Sequence, residues 1–495
     1  MTEYIQINPS DNVAVALNDL KEGYTLHWSG GSVCLKEHVQ SGHKIALKDF
    51  RKDDVVIKYG FPIGHVTADV ECGCLLNDKN MQTNLSGLDT YKYTPDFRPQ
   101  TFVNEDRTFM GYRRENGEVG IRNEIWVIPT VGCVNGIATR LAEMLRGETG
   151  GKGTDGIKVY THNYGCSQLG DDHENTRKIL RDMVKHPNAG GVLIVGLGCE
   201  NNQPEAFMDT IGEYDPRRIR CMVCQKADNE MDEGMRMLRE IYAVVKEDVR
   251  TPVPLSALKV GLKCGGSDGL SGITANPMLG IFSDYLVAQG GTTVLTEVPE
   301  MFGAETILMN RCVSEKVFDD TVAMINDFKN YFIRNGQPIY ENPSPGNKAG
   351  GISTLEEKSL GCTQKAGTSM VKNVLKYGDR TSVGGLNLLS APGNDLVAST
   401  ALAASGCHIV LFTTGRGTPF GTFVPTVKVS TNTALYEKKQ SWIDFNAGSI
   451  AQGETMDDVS RRFIETVIEI ADGKKALNEI NGFHEIAIFK QGVTL

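Results

Sequence analysis

Three cysteines recur at one fixed interval and form the most regular chemical pattern of the sequence. Cys133, Cys166 and Cys199 are 33 residues apart in succession, and each one follows a glycine and ends an apolar run. A β-strand with its crossover helix takes about 30 residues. The spacing therefore predicts equivalent positions at the carboxyl ends of consecutive parallel strands, where open α/β sheets bind ligands. Three thiolates at one edge are soft ligands that suit iron or zinc.

Two other interpretations of this region stay open. Asp171, Asp172 and His173 follow Cys166 closely and supply oxygen and nitrogen ligands that suit a harder divalent ion. A cysteine is also a small side chain that a crowded strand end tolerates. No two CxxC pairs frame a structural zinc site, because the single pair at 221–224 lies in a strand-like run and is interpreted as core.

Four glycine-rich loops carry side chains that bind carboxylates and hydroxyl groups. Their polar residues are Ser267 with Asp268, Asn347 with Lys348, Arg416, and the segment 444–448. Glycine lets backbone N–H groups approach an anion, and 54 of the 495 residues are glycine. The four loops together predict a pocket for a small, acidic, polyhydroxylated molecule, with Ser267, Asp268, Asn347 and Arg416 as its substrate-binding residues.

Histidine is scarce, with nine in the chain, and two of them are candidates for proton transfer. His43 lies in a turn near the amino terminus, and His173 lies at a predicted helix start. Imidazole exchanges protons near neutral pH. We therefore predict His43, His173 and Lys348 as catalytic residues. His43 reaches the glycine loops only if the amino-terminal part of the chain folds over them, which predicts a lid.

The elements that must position these residues change in texture along the chain. Residues 1–85 contain short β-prone runs and predict a small all-β module, and residues 86–108 are polar, contain proline and predict a linker. From residue 109 apolar strands alternate with helical segments, which is typical of a parallel sheet covered by helices. We divide this α/β region into a middle domain (109–251) and a carboxyl-terminal domain (252–495).

Composition excludes several classes of protein. The net charge is −10, whereas nucleic-acid binding normally requires a basic face. No signal-peptide pattern and no apolar run of membrane-spanning length occurs. We therefore expect a cytoplasmic protein with reduced thiols. Asn201 occupies the third glycine position of a dinucleotide fingerprint, which argues against a nicotinamide-dependent oxidoreductase. A sugar-acid sensor is the non-enzymatic alternative.

Eight segments in order along the chain resemble the altronate/galactarate dehydratase family. They are GHKIAL, TVGCVNG, YGCSQLGDDH, GLGCEN, KCGGSDGLSGITANP, NPSPGNKAGG, FTTGRGTP and DFNAG. YGCSQLGDDH and the SLGCTQKAG segment around Cys362 resemble the altronate branch of the family more than the galactarate branch. The resemblance covers the chain essentially from end to end.

The resemblance implies a β-clip (SAF-like) module, a middle α/β domain that pairs subunits in a homodimer, and a Rossmann-like carboxyl-terminal parallel sheet. It also implies an iron-dependent hydro-lyase of hexuronate (galacturonate) catabolism. The substrate would be D-altronate, converted to 2-dehydro-3-deoxy-D-gluconate, with galactarate or a related sugar acid as the alternative. The family supplies no residue-by-residue catalytic set, so the roles given to His43, Lys348 and His173 come from the chemistry alone. Iron, as Fe²⁺ or an iron–sulfur cluster, is assigned to Cys133, Cys166 and Cys199.

Overall fold

The structure is a computed structural model that describes residues 3–495, and it begins with a module of short antiparallel strands. These strands form a four-stranded sheet (β1-β2-β5-β8), a two-stranded sheet (β3-β4) and a three-stranded sheet (β6-β7-β9). Their bounds are β1 Tyr4–Ile5, β2 Val13–Ala16, β3 Thr25–Trp28, β4 Gly31–Cys34, β5 Lys44–Ala46, β6 Val55–Lys58, β7 Phe61–Val66, β8 Leu75–Leu76 and β9 Met81–Gln82. The all-β prediction for this part of the chain is confirmed.

The segment between Gln82 and Thr108 contains no helix or strand, yet it is packed against the carboxyl-terminal domain. Tyr91 donates a hydrogen bond to Glu305 at 2.5 Å, and Tyr93 donates one to the carbonyl oxygen of Cys312 at 2.6 Å. The linker predicted for residues 86–108 is therefore docked on the carboxyl-terminal domain, and we call it the docked strap.

The middle part of the chain builds a four-stranded parallel sheet in the order β13-β12-β14-β15, and a small antiparallel sheet, β11-β10-β16, joins it to the next domain. All six residues of β12, EIWVIP, are buried, as expected for a parallel strand that helices cover on both faces. The strands are β10 Thr108–Arg113, β11 Val119–Gly120, β12 Glu124–Pro129, β13 Gly156–Val159, β14 Ala189–Gly196, β15 Ile219–Val223 and β16 Thr251–Pro254. The helices are α1 Asn135–Thr149, α2 Gly170–Val184, α3 Pro204–Ile211 and α4 Glu230–Val245.

The carboxyl-terminal domain is built on a seven-stranded parallel sheet in the order β19-β20-β18-β17-β21-β22-β23. Its strands are β17 Lys259–Cys264, β18 Thr292–Leu295, β19 Val371–Leu375, β20 Gly385–Leu389, β21 Ile409–Thr414, β22 Thr426–Ser430 and β23 Phe445–Asn446. After β17 the chain adds β18 to one side of that strand, whereas β21 lies on the other side. The β17–β21 boundary is thus the switch point at which such sheets bind ligands.

Helices cover both faces of this sheet, and its apolar side chains form a large core together with α5, α7 and α12. The helices are α5 Ala275–Ala288, α6 Glu305–Met309, α7 Glu315–Arg334, α8 Pro345–Ala349, α9 Leu355–Thr363, α10 Asp395–Ala404, α11 Thr433–Lys438, α12 Met456–Ala471 and α13 Leu477–Asn481. Within residues 3–495, no helix combines the length and the apolar character that crossing a bilayer requires. The predicted α/β class, with a large parallel sheet and small amino-terminal antiparallel sheets, is confirmed.

Candidate active site at the switch point

The predicted glycine loops meet at the switch point of the large sheet. The loop after β17 contacts the α8 loop, where the Gly269 N–H donates to the carbonyl oxygen of Gly350 at 2.8 Å. It also contacts the loop after β21, where the Arg416 N–H donates to the carbonyl oxygen of Gly266 at 3.1 Å. The structure therefore brings three of the four loops into one contiguous group, and the segment 444–448 supports them from behind through contacts with residues 432–433.

The module covers this group of loops. Gly42 is packed so closely that a Cβ atom on Gly269 would lie 1.9 Å from the Gly42 carbonyl oxygen. His43 is thereby held beside the loops, with its Nδ1 atom 3.3 Å from the carbonyl oxygen of Ser41. A carbonyl only accepts hydrogen bonds, so this contact favours the tautomer with the proton on Nδ1. Burial lowers the pKa of His43, which favours the neutral imidazole that a general base requires.

Three of the predicted substrate-binding residues already have partners within the protein. The Asp268 carboxylate accepts hydrogen bonds from Thr431 at 2.8 Å and from the Ser271 hydroxyl at 3.0 Å, and burial raises its pKa. Ser267 is fully buried, with its hydroxyl 2.7 Å from the Cys264 sulfur. These side chains hold the loops in place.

Asn347 is the third engaged residue, and it explains how the short helix α8 forms. Its side chain completes a capping box with Ser344, and Pro345 at the start of the helix presets the backbone. The Asn347 amide also donates to the carbonyl oxygen of Ser267 at 2.8 Å. Asn347 therefore joins two glycine loops to each other.

Lys348 and Arg416 are the predicted site residues that remain available to a ligand. Lys348 is half-buried and Arg416 is exposed. In the part of the chain that the structure describes, neither side chain forms a hydrogen bond or an ion pair with protein. Together with His43, these two cations define the site that we call the rim, in which two positive side chains lie beside an imidazole.

Beneath the rim lies a buried ionic cluster that the sequence reasoning missed. The Glu357 carboxylate accepts from the Nζ atoms of Lys44, at 2.9 Å, and Lys58, at 2.8 Å, and all three side chains are at most 1% exposed. Burial alone would raise the pKa of Glu357, but the two lysines lower it to about 2. Because both lysines come from the module, the cluster fastens the module to α9.

The cluster continues under the large sheet with three more lysines and two glutamates. Glu297 pairs with Lys263 and, at 2.9 Å, with Lys365, and Glu300 pairs with Lys358 at 2.9 Å. The partial sequence signal was the run EEKSLGCTQK at 356–365, which places two acids and two lysines on and just after one helix. Its amphipathic character is weak because the whole of α9 is buried, so no surface face marked it.

Two cysteines lie within this cluster. Cys264 ends β17 and Cys362 lies on α9, and both are buried. A hydrogen bond from the Cys362 thiol, together with the positive charge of Lys365, lowers the pKa of Cys264. The pKa of Cys362 is raised, and its thiol lies 3.1 Å from the Glu300 carboxylate. The two buried thiols thus lie side by side at the carboxyl end of β17, with their pKa values shifted in opposite directions.

Cys133, Cys166 and Cys199 lie elsewhere, at the carboxyl edge of the middle-domain sheet, and all three are exposed. Their loops are joined to each other. The Gly132 N–H donates to the carbonyl oxygen of Tyr164 at 3.0 Å, and the Ser167 N–H donates to the Asn201 side chain at 2.7 Å.

The residues proposed as alternative hard ligands are partly engaged. Both oxygens of Asp172 accept backbone N–H groups, from Gln491 at 2.7 Å and from Gly492 at 2.9 Å. His173 lies on α2 in the middle domain, and burial lowers its pKa. No contact joins His173 to the rim, so the structure does not bring the three predicted catalytic residues together.

Whether a metal ion fits the protein depends on how its donor side chains are grouped. Among residues 3–495, no three histidine, cysteine, aspartate or glutamate side chains are grouped so that they would hold a metal ion. The three exposed thiols suit iron in their chemistry and share one sheet edge, but they are not assembled into a three-donor site. The iron assignment stays a prediction.

Family models match three consecutive parts of the chain. The altronate/galactarate dehydratase SAF domain matches residues 2–84, the second domain of D-galactarate dehydratase/altronate hydrolase matches residues 111–246, and the D-galactarate/altronate dehydratase carboxyl-terminal domain matches residues 255–494. The chain belongs to the altronate/galactarate dehydratase family.

Similarity to individual family members extends over the whole length. The altronate dehydratases of Escherichia coli (strain K12) and Bacillus subtilis (strain 168) are each 58% identical to this chain, with 100% of both chains covered. The galactarate dehydratase (L-threo-forming) of Escherichia coli is 33% identical over 98% of this chain and 96% of its own length. The chain is thus more similar to the altronate enzymes than to this galactarate enzyme.

Proposed function

We propose that this chain is a hydro-lyase that dehydrates D-altronate to 2-dehydro-3-deoxy-D-gluconate. The observation that carries the proposal is the 58% identity to two altronate dehydratases over the full length of each chain. The rim supports it, since two cations and a neutral imidazole at the switch point suit a substrate that is both acidic and polyhydroxylated. The cover that the module forms over the loops also limits access of water to the reacting atoms.

The reaction removes the proton at C2 and expels the hydroxyl group at C3, and the enol that forms tautomerises to the 2-keto acid. Arg416 and the Lys348 ammonium would bind the substrate carboxylate, whose negative charge increases as the C2 proton leaves. The Nε2 atom of His43 would accept that proton. Lys348, near the carboxyl end of α8, would donate a proton to the departing hydroxyl.

We propose iron as the cofactor, held at Cys133, Cys166 and Cys199 at the edge of the middle-domain sheet, where a bound iron would have Lewis-acid character. The mechanism above includes no step through the metal, because the three thiols are not assembled into a site in the structure. Metal content of the anaerobically purified protein tests the assignment. Single Cys→Ser variants at the three positions should each lose iron, and full occupancy in all three would end the thiolate proposal.

Four finer features belong to the same proposal. The strand order on either side of β17 supports a Rossmann-like arrangement of the carboxyl-terminal sheet. We expect a homodimer paired through the middle domain, located in the cytoplasm, with a role in galacturonate catabolism. The one partner molecule required is the sugar acid.

Formation of 2-keto-3-deoxy acid from altronate, galactarate and related sugar acids tests the activity. The iron-loaded wild-type protein should convert altronate with the highest kcat/KM, and conversion of galactarate alone would overturn the substrate assignment. His43→Asn should lower kcat by about a hundredfold, the middle of the range for loss of a general base. His38→Asn is the matched control, since His38 is an exposed histidine of the same module. Equal kcat values for the two variants would remove His43 from the mechanism.

A further inference from the structure

A cavity of about 340 Å³ lies on the side of α9 that faces away from the rim. Its walls come from the module (Tyr59 and Phe61), from the docked strap (Asp96 and Arg98) and from the carboxyl-terminal domain. The volume falls in the range of small-molecule sites, about 300–1,000 Å³. Three parts of the chain that are distant in sequence thus enclose one space of ligand size.

Arg311 is the buried cation of this cavity. It is 6% exposed, and its Nε atom donates to the carbonyl oxygen of Ile307 at 3.2 Å. Its Nη1 atom donates to the carbonyl oxygen of Gly367. The Nη2 atom is buried without a hydrogen-bond partner. Over residues 3–495 no carboxylate forms an ion pair with Arg311. A buried guanidinium lacking a counter-charge is costly, so this atom points to an anion that the protein itself does not supply.

Asp284 does not fill that role. Its carboxylate accepts hydrogen bonds from the N–H and hydroxyl groups of both Thr368 and Ser369, at 2.6–2.9 Å. The acid is therefore committed to the turn after α9. Burial lowers the pKa of Arg311 to about 10, which leaves the guanidinium charged at neutral pH.

Arg98 supplies a second guanidinium to the same cavity. It is exposed on the strap, and in the described part of the chain it has no ion-pair partner of its own. Two guanidinium groups suit one carboxylate, because each presents several N–H donors. Asp96 on the same wall repels a second negative group on the ligand. Its carboxylate can accept hydrogen bonds from ligand hydroxyl groups, and so can the neutral polar side chains of the lining: Thr306, Asn310, Gln364 and Thr368.

We propose that this cavity is a second small-molecule site, which binds a polyhydroxylated monocarboxylic acid through Arg98 and Arg311. It is separate from the rim, because Leu360, Thr363 and Gln364 line it from one side of α9, whereas Gly361 and Cys362 face the glycine loops. The ligand contacts the module, the strap and the carboxyl-terminal domain at once. Its binding therefore stabilises the docked position of the module.

Calorimetric titration of the full chain with D-gluconate, a hexonate with one carboxylate, tests the site. Sorbitol offers the hydroxyl groups without the carboxylate, and inorganic phosphate offers the charge without the hydroxyl groups. Gluconate should bind, and the other two should bind at least about tenfold more weakly. Binding of sorbitol as tight as that of gluconate would overturn the role of the arginines. Tighter binding of phosphate would overturn the class of ligand.

Variants locate the binding. Arg98→Gln should weaken the affinity for gluconate about tenfold, the equivalent of one charge-assisted hydrogen bond, and Arg311→Gln should weaken it further. Arg461→Gln on the exposed face of α12 should leave this binding unchanged, and Arg416→Gln should weaken only binding at the rim and leave the Arg98-dependent binding in place. If Arg311→Gln does not fold, Arg98→Gln at the exposed position still shows whether the arginines of this cavity bind gluconate. Gluconate binding that is lost in Arg416→Gln and kept in Arg98→Gln would place the ligand at the rim and refute the second site.

Discussion

Glu357→Gln is the substitution that tests whether the buried ionic cluster fastens the module to the carboxyl-terminal domain. The change keeps the shape of the side chain and removes the one carboxylate that faces Lys44 and Lys58. A pKa of about 2 for Glu357, against an ordinary 4.5, corresponds to about 3 kcal/mol in favour of the ionised form. Removing one partner of a buried ion pair typically costs about 3–5 kcal/mol, so both arguments give the same magnitude.

Differential scanning calorimetry at pH 7 measures the effect. A loss of about 3 kcal/mol in a domain of this size lowers Tm by about 6–12 °C. Glu465→Gln is the control, because Glu465 pairs with Arg107 at the surface, its side chain is 58% exposed, and exposed pairs contribute less than about 1 kcal/mol. Since the pKa of Glu357 is lowered in the folded state, its contribution is complete above pH 4.5 and is lost as the pH falls below that value.

The Tm difference between Glu357→Gln and wild type should therefore stay constant from pH 8 to pH 6. The control should lose at most about 1 kcal/mol of stability. A Glu357→Gln protein whose Tm lies within about 2 °C of wild type, or is no lower than that of the control, would refute the fastening role. The same reasoning applies to the predicted lid, because lifting the module would separate Lys44 and Lys58 from Glu357. Deleting residues 1–85 should destabilise the remaining chain, because it leaves Glu357 buried without its two cations.

Two further predictions follow from close packing and from buried histidines. Gly269→Ala places a methyl group 1.9 Å from the Gly42 carbonyl oxygen and should lower turnover about a hundredfold. Gly136→Ala is the control, because a methyl group there has no atom within 4 Å and should leave turnover unchanged. Unchanged steady-state kinetics in both variants would contradict the contact. Burial lowers the pKa values of the buried His162, His186 and His408 and of the half-buried His484, to about 4 for His162 and His484 and to about 3 for His408. These imidazoles are neutral in the folded protein and become protonated on unfolding below pH 6.5. The free energy of unfolding therefore falls as the pH drops below 6.5, by about 1.4 kcal/mol for each histidine at pH 5.5. Denaturant titrations at pH 7.5 and 5.5 that give equal unfolding free energies would contradict this.

The sequence was most informative where a local pattern and the fold agree. The alternation of apolar strands and helices predicted the parallel sheets. The glycine loops around Ser267, Asn347 and Arg416 were expected to share one site, and the structure shows that these loops contact one another. The roles within that group were not readable, because the hydrogen-bond partner of a polar side chain depends on other loops. Asn347, for instance, caps α8 and binds the carbonyl oxygen of Ser267.

The buried lysines were invisible to sequence reasoning for a different reason. Lysine is rarely buried unless it is paired, and the partners are distant in the chain: Lys44 and Lys58 meet Glu357 about 300 residues later. No window of the sequence contains such a pair. The docking of the strap could not be predicted for a related reason, since Tyr91 bonds Glu305 on α6 and Tyr93 bonds the carbonyl oxygen of Cys312 between α6 and α7, each more than 200 residues away.

The small internal space left under the docked module supports placing the proposed reaction at the rim. The internal cavity between Ser267, Cys362 and the ionic cluster is about 10 Å³, which is room for about one water molecule and not for a six-carbon acid. Opening it would separate Lys44 and Lys58 from Glu357, at the cost worked out above. This supports the proposed binding of the substrate outside the cluster, beside His43, Lys348 and Arg416, with the buried charges fixing the docked position of the module.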